Sequence, residues 1–285
     1  MAAAVYADHP FSLIPTPTYK LKQENPDYKV RPLQPDLFDD TASEMALVHN
    51  MMIRGLNAIY LQAQHIKQSE QKDFCKFIIN WHLLLHLHHG NEEDQIFPII
   101  EKMAGVTGIM DVNVEQHHAF HDPLDKFIAY TNDVIAGKQK YDGAVVVASI
   151  DEFGPLLVTH LADEIPTLLG LREYGLEKMK EMPTLLSQAA EHAMKGLGLS
   201  GLVWCFANLD AHFEDDMWLS FPPLPAPVRI LGRTLFWFLH RGMAKFGSSD
   251  RHGAIRALYA AGDVQPKVEV QTDDTKPDAA AKPEN

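Results

Sequence analysis

Cysteine is almost absent from this 285-residue chain, which carries only Cys75 and Cys205. Two thiols outside any Cys-x-x-Cys pair cannot build a disulfide framework or a thiolate metal cluster; they fit a reducing compartment, with the cytosol as the expected location. Positive charge is also scarce: 25 Lys and Arg stand against 38 Asp and Glu, a formal net charge of −13. Phosphate backbones and anionic lipid repel such a chain, which excludes nucleic acid as an expected partner and argues against membrane association. No stretch approaches the roughly 20 apolar residues of a membrane span, and the start MAAAVYADHPFSLIP lacks the basic and apolar runs of a signal peptide. Glycine (17) and proline (18) are too few for a fibrous or low-complexity chain, and 46% apolar residues suffice for a core. Histidine is what the chain has in plenty: 15 in all, ten of them from His49 to His160.

Residues 1–38, with Pro10, Pro15, Pro17, Pro26, Pro32 and Pro35, read as an extended arm, and residues 262–285 are polar enough to be expected disordered. Between them, helical periodicity runs over about Asp39–Gln68, Gln71–Met103, Asp111–Ala136 and Ala144–Leu171, with Asp40, Thr41 or Ser43 as candidate caps of the first helix. Four long helices with short links predict an all-α, up-down-up-down bundle over residues 39–182. Residues 183–261 are aromatic-rich, broken by SFPPLPAPV, and predict a helical extension packed on the bundle.

Each helical residue advances roughly 100°, so residues four apart share a face, about 6 Å apart along it. On the second helix His88 and Glu92 lie among Phe77, Trp81, Leu84, Leu85 and Ile99, whereas His82, His86, His89 and Glu93 fall roughly 100° or more away. Of two overlapping His-x-x-x-Glu registers, the apolar stripe selects His88 with Glu92. On the third helix His117 and His121 share a face with Val114, Leu124, Ile128 and Ile135; on the fourth His160 and Glu164 lie with Phe153, Leu156, Leu157 and Leu171. His49 on the first helix is in phase with Met45, Ile53, Leu56 and Tyr60. All four helices therefore aim polar groups at one core. An unpaired buried carboxylate costs several kcal/mol and an unsatisfied imidazole about 1–3 kcal/mol, and bound metal removes that conflict.

Five imidazoles and two carboxylates exceed the needs of one tetrahedral zinc but suit two six-coordinate ions; nitrogen and oxygen ligation without thiolate points to iron, with manganese the alternative. A ferritin-type site needs two Glu-x-x-His runs, and the single one, Glu115 to His118, is out of phase with the core.

His49 alone, HHGNEEDQIFP (His88–Pro98), HHAFH (His117–His121) and HLADE (His160–Glu164), in that order, resemble the hemerythrin-like HHE cation-binding domains over about residues 40–181. The resemblance implies a bridged di-iron centre inside a four-helix bundle. It assigns His117, His121 and His160 to one iron, His49 and His88 to the other, and Glu92 and Glu164 to the bridges. The oxygen carriers of the family place an Asp five residues after the last His, where this chain has Ile165. Its Glu164 instead resembles the branch with iron- and oxygen-responsive members, and the segment after residue 183 resembles an extension of fungal members. The expected function is therefore a non-heme di-iron protein that binds O2 or NO for oxygen or iron binding, storage or sensing. The alternative is a di-iron oxidase, oxygenase or peroxide-consuming enzyme, for which the extension would shape a substrate pocket.

Three further features read as structural. Cys75 lies off the ligand face, Tyr60 is a core residue with its hydroxyl satisfied, and His212 with Asp216 is an isolated i,i+4 pair expected at the surface.

Overall fold

The computed structural model describes residues 4–25 and 35–261; the tail expected to be disordered and parts of the N-terminal arm lie outside the described residues. Helix α1 (Pro17–Glu24) is short. Four long helices come next, α2 (Leu37–Gln62), α3 (Gln71–Asn91), α5 (Asp111–Ile135) and α6 (Gly143–Gly170), with α4 (Phe97–Ala104) continuing the direction of α3. α2 packs on α3, α3 on α5, α5 on α6 and α6 back on α2, which closes an up-down-up-down ring. Among the described residues no strand forms, and an isolated bridge joins Ser249 to Ile255.

The ends of these helices have identifiable causes. The cap of α2 is Asp36, ahead of the three expected residues: its carboxylate accepts from Phe38 N and Asp39 N, and the Asp39 side chain accepts from Asp36 N, a reciprocal arrangement. Between α3 and α4 the backbone makes one π turn, Glu92–Ile96, in which Phe97 N reaches Glu92 O. Pro98 has no N–H to give to the carbonyl four residues back, and the wider turn accommodates it. Gly105, in the left-handed region at φ 76°, ends α4.

The core of the ring is aromatic. Trp81 of α3 stacks on Phe153 of α6 with ring centroids 5.9 Å apart, and Phe127 of α5 meets Phe153 at 5.6 Å. Each such fully buried ring contributes roughly 1.5–3 kcal/mol. α6 is long and apolar enough to cross a membrane; here it is a helix of the bundle core, with Val146, Ile150, Phe153, Leu157, Leu161 and Leu168 buried beside His160 and Glu164.

Two additions cover the ring. The N-terminal arm lies along α2, where the Asn57 side chain accepts from Phe11 N (3.0 Å) and donates to Phe11 O (2.8 Å) and Ala7 O (3.2 Å). Asn50 holds Ile14 in the same two-way fashion, at 2.7 and 2.8 Å. After a single turn, α7 (Leu176–Met179), comes α8 (Met182–Asn208), which packs on α3 and α2. Sequence periodicity divides this segment into two helices, and the division appears as a kink at Gly198, whose φ of 61° favours glycine. Trp204 of α8 seats against Gly55 of α2, where a Cβ would stand 2.4 Å from the indole.

Beyond α8, a short α9 (Phe213–Asp216) leads to α10 (Ala226–Leu231) and a second π turn, Gly232–Phe236. This segment rests on α8 through Arg233, whose guanidinium lies over Phe206, and exposes Ile230, Leu235, Phe238 and Leu239. Cys75 and Cys205 are both free and buried, and burial pushes each thiol up to about 12.

Candidate metal centre

Two donor groups meet in the middle of the ring: His49, His88, Glu92 and Glu164 in one, and His89, Glu92, His117 and His160 in the other, with the atoms of each group within 4.8 Å of one another. Glu92 belongs to both. His49 comes from α2, His88 and His89 from the end of α3, Glu92 from the start of the π turn, His117 from α5, and His160 with Glu164 from α6. No helix carries the set alone, so the bundle must close before the donors meet.

The orientation of the rings is fixed from behind. His49 Nδ1–H donates to Leu161 O at 2.8 Å, His117 Nδ1–H to the Glu93 carboxylate at 2.6 Å, and His160 Nδ1–H to Gln116 Oε1 at 3.2 Å. Gln116 in turn donates to Asp163 at 3.0 Å. A carbonyl or carboxylate accepts only, so Nδ1 holds the proton in each ring and Nε2 presents a lone pair inward. These inward atoms stand close in pairs, His49 Nε2 to His88 Nε2 at 3.0 Å and His117 Nε2 to His160 Nε2 at 2.9 Å. Two nitrogens bound at about 2.1 Å to one ion and at right angles would be roughly 3.0 Å apart.

The carboxylates make the same case. His88 Nε2 lies 2.9 Å from Glu92 Oε1 and His49 Nε2 lies 3.3 Å from Glu164 Oε2. These approaches lack the alignment of a hydrogen bond, for both oxygens of Glu92 and both of Glu164, with Nε2 of His89, are buried and without a hydrogen-bond partner. Buried polar atoms are normally paired, and five orphans converging on two points fit cations placed between them. The residues therefore suit a two-ion centre of five imidazoles and two carboxylates.

Electrostatics favours the ligand form of the imidazoles and divides the two carboxylates. Burial lowers His88 to about 4 and His160 to about 3, and it also lowers His89 and His117, so these rings are neutral near pH 7. Burial works against ionising either carboxylate. At Glu164 the facing His49 outweighs it and draws the group down, whereas at Glu92 burial and the charge of Glu164 together push the group well up.

Of the residues expected from the sequence, the structure gathers His49, His88, Glu92, His117, His160 and Glu164 and leaves His121 outside. His121 is 64% exposed and pairs with Asp125 at 3.3 Å. The cause lies in the true centre of the buried arc of α5. Asn113, Phe120, Leu124, Phe127 and Thr131 are buried positions, whereas Val114 and Ile135 are only half-buried. This centre falls roughly 40° from His117, on the side away from His121, which puts His121 on the rim.

His89 takes the fifth imidazole position instead, its ring 4.2 Å from that of His117. Helix α3 packs against α2, α5 and α8, so its buried arc is wider than a single stripe and reaches His89 on the α5 side. The signal was present in the doubled motif His88-His89 with Glu92-Glu93. Both registers are used: the first binds inward, and the second supplies His89 and the Glu93 that orients His117. Tyr60 is turned to Asp151, and His212 bonds the exposed Asp216 at 2.6 Å.

Comparison with known proteins agrees with this centre. The Hemerythrin HHE cation binding domain matches residues 40–171. The chain is also 30% identical over 250 residues to the dimeric xanthone biosynthesis cluster protein R11 of Cryptosporiopsis sp. (strain 8999), covering 87% of this chain and 90% of that protein. This chain belongs to the hemerythrin HHE cation-binding family. No solved structure matches it. The HHE match stops at residue 171, whereas the likeness to the fungal protein is long enough to take in most of the chain beyond that point, so α8 and the segment after it are not peculiar to this chain. Cation binding is the property that the family and the buried His/Glu cluster share.

Proposed function

We propose that the HHE centre holds two non-heme iron ions, with manganese the nearest substitute, and binds a small diatomic ligand, O2 or NO, as an oxygen- or iron-binding, storage or sensing protein. Burial carries this reading: the side chains of His49, Glu92, Glu164 and His160 are wholly buried, His117 is 3% exposed and His88 12%. Enclosure of that degree favours a ligand of two atoms over an organic substrate. A bound iron pair would supply reversible one- and two-electron chemistry and an open coordination position. Glu92, common to both donor groups, ties the two positions together, and Glu93 and Gln116 hold His117 and His160 in place. Phe97 and Phe120, with rings 6.0 Å from His117 and 5.9 Å from His160, wall the site against water.

An enzymatic role in the biosynthesis of an aromatic natural product is the second reading. The name of the similar fungal protein, a biosynthesis cluster protein, favours it. Metal-depleted protein loaded with ferrous iron without air, then exposed to air and purged, tests both readings. About two irons per chain and a visible charge-transfer band that purging removes support the binding protein. A band that persists, with oxidation of an added aromatic substrate, supports the enzyme. Failure to bind iron overturns both.

A further inference from the structure

His121, turned out of the buried centre, has company. Helices α3 and α5 are neighbours of opposite direction, and the contact of His89 with His117 fixes their register. About one turn back along α3 lies His86, and one turn on along α5 lies His121; one more turn in each direction reaches His82 and Asp125. The register thus brings the His82–His86 pair and the His121–Asp125 pair to one seam. Along α3 the rings of His82 and His86 lie 5.8 Å apart and within 17° of parallel, and along α5 His121 Nδ1 is 3.3 Å from Asp125 Oδ2. Across the seam, both Asp125 and His121 act on the charge of His82. His86, His121 and Asp125 are exposed and His82 is half-buried, so these side chains can turn without disturbing the core.

We propose that His82, His86, His121 and Asp125 form a second metal site, on the surface of the bundle, that takes one borderline divalent cation such as Zn2+. Two i,i+4 pairs on adjacent helices offer three imidazoles and one carboxylate, a mixed set of four that matches tetrahedral zinc. Burial and the neighbouring His86 lower His82 to about 4, which leaves its ring unprotonated at neutral pH. Zinc entry replaces the exposed His121–Asp125 contact with two metal bonds. The site shares no residue with the buried centre.

Iron-loaded protein dialysed against Zn2+, with both metals counted by elemental analysis, tests the proposal. The expected result is one Zn2+ per chain beyond the iron, and a loss of zinc affinity of at least about tenfold in His86→Ala/His121→Ala with iron content unchanged. His252→Ala, an exposed histidine outside the four bundle helices, is expected to keep the zinc. The proposal is overturned if the parent protein takes no extra zinc or if His252→Ala loses as much as the seam variant. Loss of iron from His86→Ala/His121→Ala also overturns it, since His121 would then serve the buried centre. Unchanged circular dichroism of the variants establishes that they fold.

Discussion

Replacing Glu92 by leucine tests whether the centre was built for cations or for the stability of the fold. Both Glu92 oxygens are buried without a partner, and so are both oxygens of Glu164 a few ångströms away. A buried polar group left unpaired costs about 1–3 kcal/mol, more when charged, and replacing buried polar groups with apolar ones of similar volume is frequently neutral or stabilising. Without metal, Glu92→Leu is therefore expected to be more stable than the parent by about 2 kcal/mol. For a protein of this size that raises Tm by about 4–8 °C, at roughly 2–4 °C per kcal/mol.

Metal reverses the order. At free metal a hundredfold above Kd the parent gains about 2.7 kcal/mol by linkage, whereas the leucine variant has lost the one donor common to both groups. Thermal melts followed by circular dichroism, first in chelator and then after reloading with ferrous iron, should give curves that exchange places. A variant that melts below the parent in chelator would refute the reasoning, because Glu92 would then stabilise the fold itself. Equal stabilisation of both proteins by metal would remove Glu92 from the ligand set.

Glu93→Gln removes the carboxylate that orients His117 but keeps the size of the side chain; metal affinity should fall about 10- to 100-fold with little change in the melting of the metal-free protein, measured by competition with a chromogenic chelator. The metal-free protein should lose stability as pH falls below about 6.5, where the unfolded histidines take up protons that His88 (about 4) and His160 (about 3) refuse in the fold. Glu92, raised in the fold, acts in the opposite sense and lowers stability as pH rises above about 4.5, so Glu92→Leu should flatten that limb of the curve of urea midpoint against pH. Asn57→Ala removes three hydrogen bonds to the N-terminal arm, and limited proteolysis should then cut within residues 5–16 well before the bundle; simultaneous cutting of both would mean that the arm is not held this way.

The bundle was legible because four long amphipathic segments with short links leave few other arrangements, and helix boundaries fell within a few residues except where 3-10 turns come after α2. The ligand faces were legible for the same reason: His49, His88 and His160 sit in the middle of apolar stripes, and the stripe is what periodicity measures. His121 and His89 mark where that reasoning ends. A stripe drawn from sequence assumes that every apolar residue is buried equally. Val114 and Ile135 are not, and the face of α5 shifted toward Phe120. The wider arc of α3 reaches His89 because α5 and α6 close over it, with His117, Phe120 and His160 against its ring, and no local pattern of α3 carries that information. The cap at Asp36 shows the same limit in miniature, since Asp39, already in the expected helix, completes the reciprocal pair and moves the start of the helix back.

The distribution of donors over the ring bears on which reading of function survives. Because α2, α3, α5 and α6 each contribute donors and Glu92 joins both groups, any movement that opened the site to an organic substrate would separate the donors from one another. The least costly opening is at the edge of His88, whose side chain at 12% is more exposed than those of His49 and His117, and which lies between Leu87, set against Gly196 of α8, and Asn91, bonded to Ala189 of α8. On the proposed reading a diatomic molecule enters there without displacing a helix. An aromatic substrate would require α8 to shift, and the kink at Gly198 gives that helix a place to bend. Straightening it tests the distinction: Gly198→Ala, which disfavours the left-handed φ of 61°, should leave O2 binding and its reversal unchanged if the protein is a carrier or sensor. It should slow turnover if the protein is an enzyme whose pocket forms beneath α8. A variant that loses O2 binding itself would contradict the entry route beside His88.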